Sequence, residues 1–592
     1  MEDLTGVQYC WNLREMYPED QQWKEEMEQA VAMAKALAAR KGSAAGDAEA
    51  LLKTARQYEA LHKSLSRLSV FAHSNFDQDM SDAAAKELYE LASNRYTEIG
   101  ESLSFLAPEL MAYSMEDFLR YAQQQPELKL YQHFAEDFFE RKAHVLSDEM
   151  EGLMVRMNNL GGSFRKVFND LTVNDMEFPE VKTPEGETYK ADETHYRQAL
   201  SHSDQSFRKT YYEGLLGTYR KHINTLSSIY YGSVKNDVYS AKSRNYSSAR
   251  ESSLAANHIP EEVYDNLIST VRANTAPLQE YVALRKEKLG LEELYFSDLF
   301  VPLVEETDRR YSFEEACDLV KKAVAPLGED YVQVLERAMK ERWIDVAPRE
   351  NKVSGAYCTG AYGHHPYVLL NFTGTLDDVF TLAHELGHAM HSYYSNQSQP
   401  FIYAGYSIFC AEVASTLNEQ LLSEYLYNHT ASRQEKALLL SKRLDDIRST
   451  FYRQTMFADF EHQTHRWVEA GSPLLPKKLC RLHRELNELY YGSALHVDDI
   501  LSCEWARIPH FYRAFYMYQY ATGISASMSI AKRIIAEGAP AVADYRRFLA
   551  AGGSDHPIQL LRIAGVDMAT PKPVLDTVSV FADTLKELRT LL

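Results

Sequence analysis

Apolar residues recur at helical spacing through the first third of the chain. Trp23, Met27, Ala30, Val31, Ala34 and Leu37 form one stripe, ending before Gly42, a residue suited to a helix C-terminus. Leu51, Ala55, Tyr58, Leu61, Leu65 and Leu68 form a second. The periodicity continues to about residue 170, with breaks near Pro108 and Pro126. From Leu171 to Ala191 the texture changes to β-branched residues, prolines and the turn Pro184-Glu185-Gly186. That stretch predicts a hairpin or extended connection. The main boundary falls just after it, giving an N-terminal helical domain over 1–192 and a second domain over 193–592.

Helical patterning returns from His195 to about Val346, apart from an irregular patch at Tyr295 to Pro302. Ser354 to Phe372 reads SGAYCTGAYGHHPYVLLNF, which predicts two short strands joined by a turn. Thr375, with Asp378 three residues on, forms a capping-box pattern before the next helix, whose packing residues are Val379, Leu382, Ala383, Leu386 and Met390. Beyond Gln399-Pro400 the pattern is helical almost to the end, with Gly552 to Leu561 as a late loop entering a helix. No short-period repeat or low-complexity tract interrupts it. A chain of 592 residues exceeds the size of one hydrophobic core, so at least two domains or lobes are expected.

Composition narrows the class. With 45% hydrophobic and 25% charged residues the chain is globular. The net charge of −21 disfavours nucleic acid, whose binding depends on neutralising phosphates. The six cysteines, Cys10, Cys317, Cys358, Cys410, Cys480 and Cys503, are dispersed with no CxxC spacing, which fits reduced thiols in the cytoplasm. The acidic opening lacks the basic and apolar regions of a signal peptide, and no apolar run is long enough to span a membrane.

The chemistry concentrates in TLAHELGHAMHSYYS, Thr381 to Ser395. His384-Glu385-Leu386-Gly387-His388 is HExxH. On a helix, His384 and His388 lie one turn apart on one face and can point two imidazole nitrogens at one zinc ion. Glu385 stands beside them as a general base for water attack and a proton donor to a leaving amine. Zinc also lowers the pKa of bound water and polarises a scissile carbonyl, which suits amide hydrolysis. Gly387 costs about 1 kcal/mol of helix propensity against alanine and allows another backbone to come close.

Catalytic zinc usually takes three protein ligands. Cys410 to Tyr427 predicts a second helix, and Glu412 on it is the leading third ligand. Glu419, seven residues later on the same face, could orient a ligand histidine. His391 is the rival, but it sits too far along the motif helix to meet the other two comfortably and reads as a supporting residue. The strand-like segment before the motif, with Gly355, Tyr357, Gly360 and Gly363, could add a substrate to a strand edge or simply cover the helix. In IPHFYRAFYMYQYATG, Ile508 to Gly523, Tyr512, Tyr516 and Tyr520 share a helical face. With His510 and Tyr518 they could donate to an oxyanion or form an aromatic packing stripe.

HELGHAMH, AEVASTLNE and HFYRAFYMYQYATG together resemble oligoendopeptidase F, of the thimet oligopeptidase and neurolysin group of zinc metallopeptidases. The likeness runs from about Tyr113 to the C-terminus. It implies a mainly α-helical, two-lobed metallopeptidase with a deep substrate channel and a small β-sheet beside the HExxH helix. It also implies cleavage of short oligopeptides with one Zn2+ held by His384, His388 and Glu412, and Glu385 as base. His510 corresponds to the family histidine, and Tyr516 and Tyr520 to its tyrosines after a one-residue shift in spacing. Tyr516 is then catalytic and Tyr520 a substrate contact, beside Gly355 and Tyr357, the contacts expected at the strand edge. The expected activity is a zinc endopeptidase. The alternatives are a zinc carboxypeptidase or dipeptidase using the same site, or a non-catalytic peptide-binding protein.

Overall fold

The computed structural model describes residue 4, residues 6–305 and residues 309–592. Several of its helices begin where side chains can take the first backbone N–H groups. Glu19 and Gln22 form a capping box at the start of Asp20–Ala38, Asp47 accepts from the Ala50 N–H at Ala48–Gln78, and Asp82 caps Ala83–Leu103. The first helix buries its expected stripe, Trp23, Met27, Ala30, Val31, Ala34 and Leu37. The larger aliphatic ones, Met27, Val31 and Leu37, each contribute about 1.5–3 kcal/mol by leaving water.

Among the described residues, five short strands accompany the helices. β1 (Glu180–Lys182) and β2 (Thr188–Lys190) form an antiparallel hairpin with Val181 opposite Tyr189, as the 171–191 pattern predicts. Asp170–Asp175, at the start of that stretch, winds instead as one π-helical turn. β3 (Ile344–Asp345), β4 (Tyr357–Thr359) and β5 (Tyr367–Leu369) form a sheet in the order β3-β5-β4. β4 runs antiparallel to β5, whereas β3 is parallel to it. The chain is mainly α, with its small sheet packed beside the motif helix.

Compactness divides the chain differently from the expected 1–192 and 193–592. One unit comprises Met1–Ala143, Arg309–Tyr425 and Arg533–Gly565; the other comprises His144–Asp308, Leu426–Lys532 and Val566–Leu592. The cause is a shared core. Trp11, Trp23, Phe71 and Leu88 from the N-terminal helices pack in one cluster with Ala361, Tyr367 and Leu369. The Trp11 indole Nε1–H donates to the carbonyls of Trp343 and Val368, at 2.9 and 2.8 Å, binding the N-terminal segment to β5. The opening helices thus belong with the sheet and the motif helix. The hairpin belongs to the other unit. No helix among the described residues is long and apolar enough to cross a membrane.

Candidate metal centre

The motif helix spans Leu376–Ser398. The Thr375 hydroxyl accepts the Asp378 N–H at 3.1 Å, and the Asp378 carboxylate accepts the Thr375 N–H at 3.0 Å, closing the expected capping box. Val379, Leu382, Ala383, Leu386 and Met390 face the core. This burial fixes the helix's rotation and leaves His384 and His388 together on a half-buried face, their ring centroids 4.8 Å apart.

The glutamate helix spans Ile408–His429. It crosses the motif helix at Gly387, where a Cβ would lie 2.6 Å from both the Ala414 carbonyl oxygen and the Ser415 Cα. Glycine is the residue that lets these backbones meet. The Asn418 side-chain amide ties them by donating to the Ala383 carbonyl at 3.1 Å. This approach brings one Glu412 carboxylate oxygen to 3.6 Å from His384 Nε2 and 4.0 Å from His388 Nε2. Donor atoms of all three residues lie within 4.8 Å of one another.

The surroundings orient those donors. Glu419 accepts the Nδ1–H of His384, which turns its Nε2 toward the cluster. Burial pushes the His384 imidazolium down, but the Glu419 hydrogen bond and charge outweigh it and hold the pKa at about 9. Burial and the neighbouring His384 lower His388 to about 3, so it stays a neutral donor. Glu385 is buried, and burial raises its carboxyl to about 7 against the opposing pull of His384. One Glu385 carboxylate oxygen has no hydrogen-bond partner.

Comparison with known proteins places the whole chain. Residues 198–580 match the family profile described as peptidase family M3, and residues 109–178 match the one described as oligopeptidase F. The chain is 38% identical to oligopeptidase PepF of Bacillus subtilis (strain 168), over 98% of this chain and 87% of that protein. The chain belongs to peptidase family M3. Among solved structures, one from Chlamydophila abortus superposes with a TM-score of 0.93 at 32% identity, covering 99% of both chains. Oligoendopeptidase-F from Enterococcus faecium gives 0.74 at 32% identity, covering 97% of this chain and 99% of that one.

Family M3 is a metallopeptidase family, and the donor set here suits a metal ion. Two imidazole nitrogens and a carboxylate converge, the outer hydrogen bond of His384 is in place, and an unpartnered carboxylate oxygen stands beside them. His391 is not among the converging donors of this M3 chain. It is fully buried and stacks on Tyr406 with centroids 3.6 Å apart, and neither ring nitrogen has a hydrogen-bond partner. Tyr406 and Asn418 both brace the site and had no distinguishing signal in the sequence. Asn418, adjacent to Glu419, became visible only once Gly387 fixed the helix crossing.

β4 forms an edge of the sheet and lies against the motif helix. Gly355, just before it, has φ +88°, and its carbonyl accepts from the Asn371 side chain at 2.8 Å. The Tyr357 hydroxyl donates to Asp77 at 2.6 Å and its ring packs on Trp11, so its side chain is turned inward.

In the other unit, the helical face expected for Tyr512, Tyr516 and Tyr520 does not form. Pro509–Tyr512 is a 3-10 turn, the next helix begins only at Tyr518, and Phe515 between them has φ +51°. The Phe515 N–H donates to the buried Glu461 carboxylate at 2.7 Å, which holds this bend. His510, Tyr516 and Tyr520 nevertheless gather, with centroids 5.4 to 6.3 Å apart. Tyr512 packs on Phe168 and Tyr230, and Tyr518 on Tyr264, away from that cluster.

Proposed function

We propose that this M3 peptidase is a zinc-dependent endopeptidase cutting internal bonds of short oligopeptides. The observation that carries the reading is the convergence of His384, His388 and Glu412 with the buried, half-unpartnered Glu385 beside them. Zinc bound there supplies Lewis acidity toward a water and a peptide carbonyl.

Glu385 takes the proton of the attacking water on its carboxylate and returns it to the departing nitrogen. A pKa near neutrality suits both transfers. Glu419 keeps His384 in the tautomer whose Nε2 donates. The β4 edge takes an extended peptide through backbone hydrogen bonds, with Gly355 and the backbone of Tyr357 as its contacts, so little side-chain identity is required. His510, Tyr516 and Tyr520 supply N–H and O–H donors for substrate oxygens. His391 supports the motif helix from behind by packing against Tyr406. Free thiols and a net charge of −21 suit a cytoplasmic enzyme acting on peptides rather than nucleic acid.

The test pairs metal analysis with product mapping by mass spectrometry on an internally quenched peptide blocked at both ends. Stoichiometric zinc and internal cleavage are expected. A blocked peptide left intact while free-ended peptides are trimmed establishes an exopeptidase. A metal-free, inactive protein that zinc does not rescue overturns the proposal.

A further inference from the structure

The six cysteines are dispersed in sequence, and all are free thiols, yet two of them meet. Cys480 lies on the helix Pro476–Tyr491 and Cys503 on the 3-10 segment Leu501–Arg507, elements that pack against each other. Their sulfurs are 3.7 Å apart. Forming a disulfide closes that gap by about 1.7 Å, a distance within reach of side-chain rotation.

The two thiols are chemically unlike. Cys480 is half-exposed, whereas Cys503 is buried at 5% exposure. The Cys480 sulfur shares a hydrogen bond with the Cys503 thiol and accepts, at 3.4 Å, the Trp505 indole N–H. The Cys503 hydrogen bond, opposed by burial and helped by the indole, holds the Cys480 thiol down to about 7. The same pairing and its own burial push Cys503 well up. One sulfur is therefore an accessible thiolate near neutral pH, and its neighbour is a protected thiol.

We propose that Cys480 is a site of oxidation by a hydroperoxide and that Cys503 resolves it to an intramolecular disulfide. In the first step the Cys480 thiolate attacks the terminal peroxide oxygen. An S–O bond forms, the O–O bond breaks, and the alkoxide or hydroxide leaves with a solvent proton as alcohol or water. In the second step the Cys503 sulfur attacks the Cys480 sulfenic sulfur. The S–S bond forms, the S–OH bond breaks, and water leaves carrying the Cys503 proton. The sulfur pair loses two electrons, which the peroxide gains.

The experiment treats the purified full-length metalloprotein with hydrogen peroxide at neutral pH, then digests it under non-reducing conditions. The expected result is a linked peptide pair containing Cys480 and Cys503, lighter than the separate peptides by two hydrogen atoms. The titratable thiols of the denatured protein fall from six to four and return with dithiothreitol. In Cys503→Ser, a 1,3-dione should trap sulfenic acid at Cys480. In Cys480→Ser, Cys503 should stay reduced. Because the wild-type result decides alone, a poorly folding variant does not blunt the test. A disulfide joining other cysteines, unchanged thiols, or Cys480 carried on to sulfinic acid while Cys503 stays free would overturn the proposal.

Discussion

Glu385 combines burial, a pKa near 7 and an oxygen without a partner, three properties that a helix-surface glutamate lacks. Glu385→Gln keeps the shape and removes the proton acceptor. It should retain stoichiometric zinc while kcat falls about 10²–10⁴-fold, checked by metal analysis beside steady-state kinetics. Glu419→Ala should act on the metal instead, weakening zinc affinity about 10–100-fold in chelator competition, because His384 loses the partner that fixes its tautomer. Tyr516→Phe and Tyr512→Phe separate the aromatic cluster. The first should lower kcat by about 10²-fold with little change in KM, as loss of an oxyanion donor does, and the second should leave kcat unchanged. Equal kinetic losses in both would remove the distinction. The motif residues and Glu412 were legible in the sequence because HExxH and a following glutamate helix carry their chemistry at fixed spacing. The inward turn of Tyr357 was not, since Asp77 and Trp11 lie hundreds of residues away in sequence.

At the scale of the element, features set by neighbouring residues form as their local sequence predicts. The Thr375–Asp378 box, the β1–β2 hairpin and the β4–β5 pair all form. β3 has no sequence signature because two residues show no alternation, and its pairing with β5 is set by distant segments. The expected helix forms from Tyr518 onward, but over 508–517 the chain departs from it for a tertiary reason. Phe515 sits at a positive φ that a phenylalanine seldom adopts, held by a buried carboxylate from another helix.

That carboxylate leaves a pH signature. Burial raises Glu461 to about 8, against His465 and the Phe515 N–H. An unfolded glutamate titrates near about 4.3, so between these values the folded chain holds the extra proton. Its contribution to stability is complete below about 4.3 and is lost as pH rises through about 8. Thermal melts should therefore show wild type losing stability relative to Glu461→Gln as pH rises from about 5 to 8. Parallel curves would rule out this titration. Gly387→Ala tests the helix crossing. Backbone atoms at 2.6 Å cannot yield as a flexible side chain could, so about 1–3 kcal/mol of stability should be lost, with weaker zinc binding.

At the scale of the molecule, neither compact unit is a continuous stretch of chain. A fragment of residues 193–592 retains His384, His388 and Glu412 but lacks Trp11, Trp23 and Phe71, which share a core with Tyr367 and Leu369. It should be poorly soluble and bind no stoichiometric zinc, as size-exclusion chromatography and metal analysis would show. A monomeric, zinc-loaded fragment would restore the simpler division at 192/193. The chain-wide hydrophobic pattern could not reveal this arrangement, because periodicity reports which face of a helix is buried and not what buries it.

The same interleaving sets a timetable for the newborn chain. The first unit's opening segment ends at Ala143, and its last segment finishes at Gly565, about 420 residues later. At about 5–20 residues per second, synthesis of that interval takes on the order of 20–80 seconds. For much of that time Trp11, Trp23 and Phe71 wait for the strand that will cover them. The early helices must therefore be shielded or transiently self-packed, which makes this enzyme's yield in a cell sensitive to translation speed and chaperone supply.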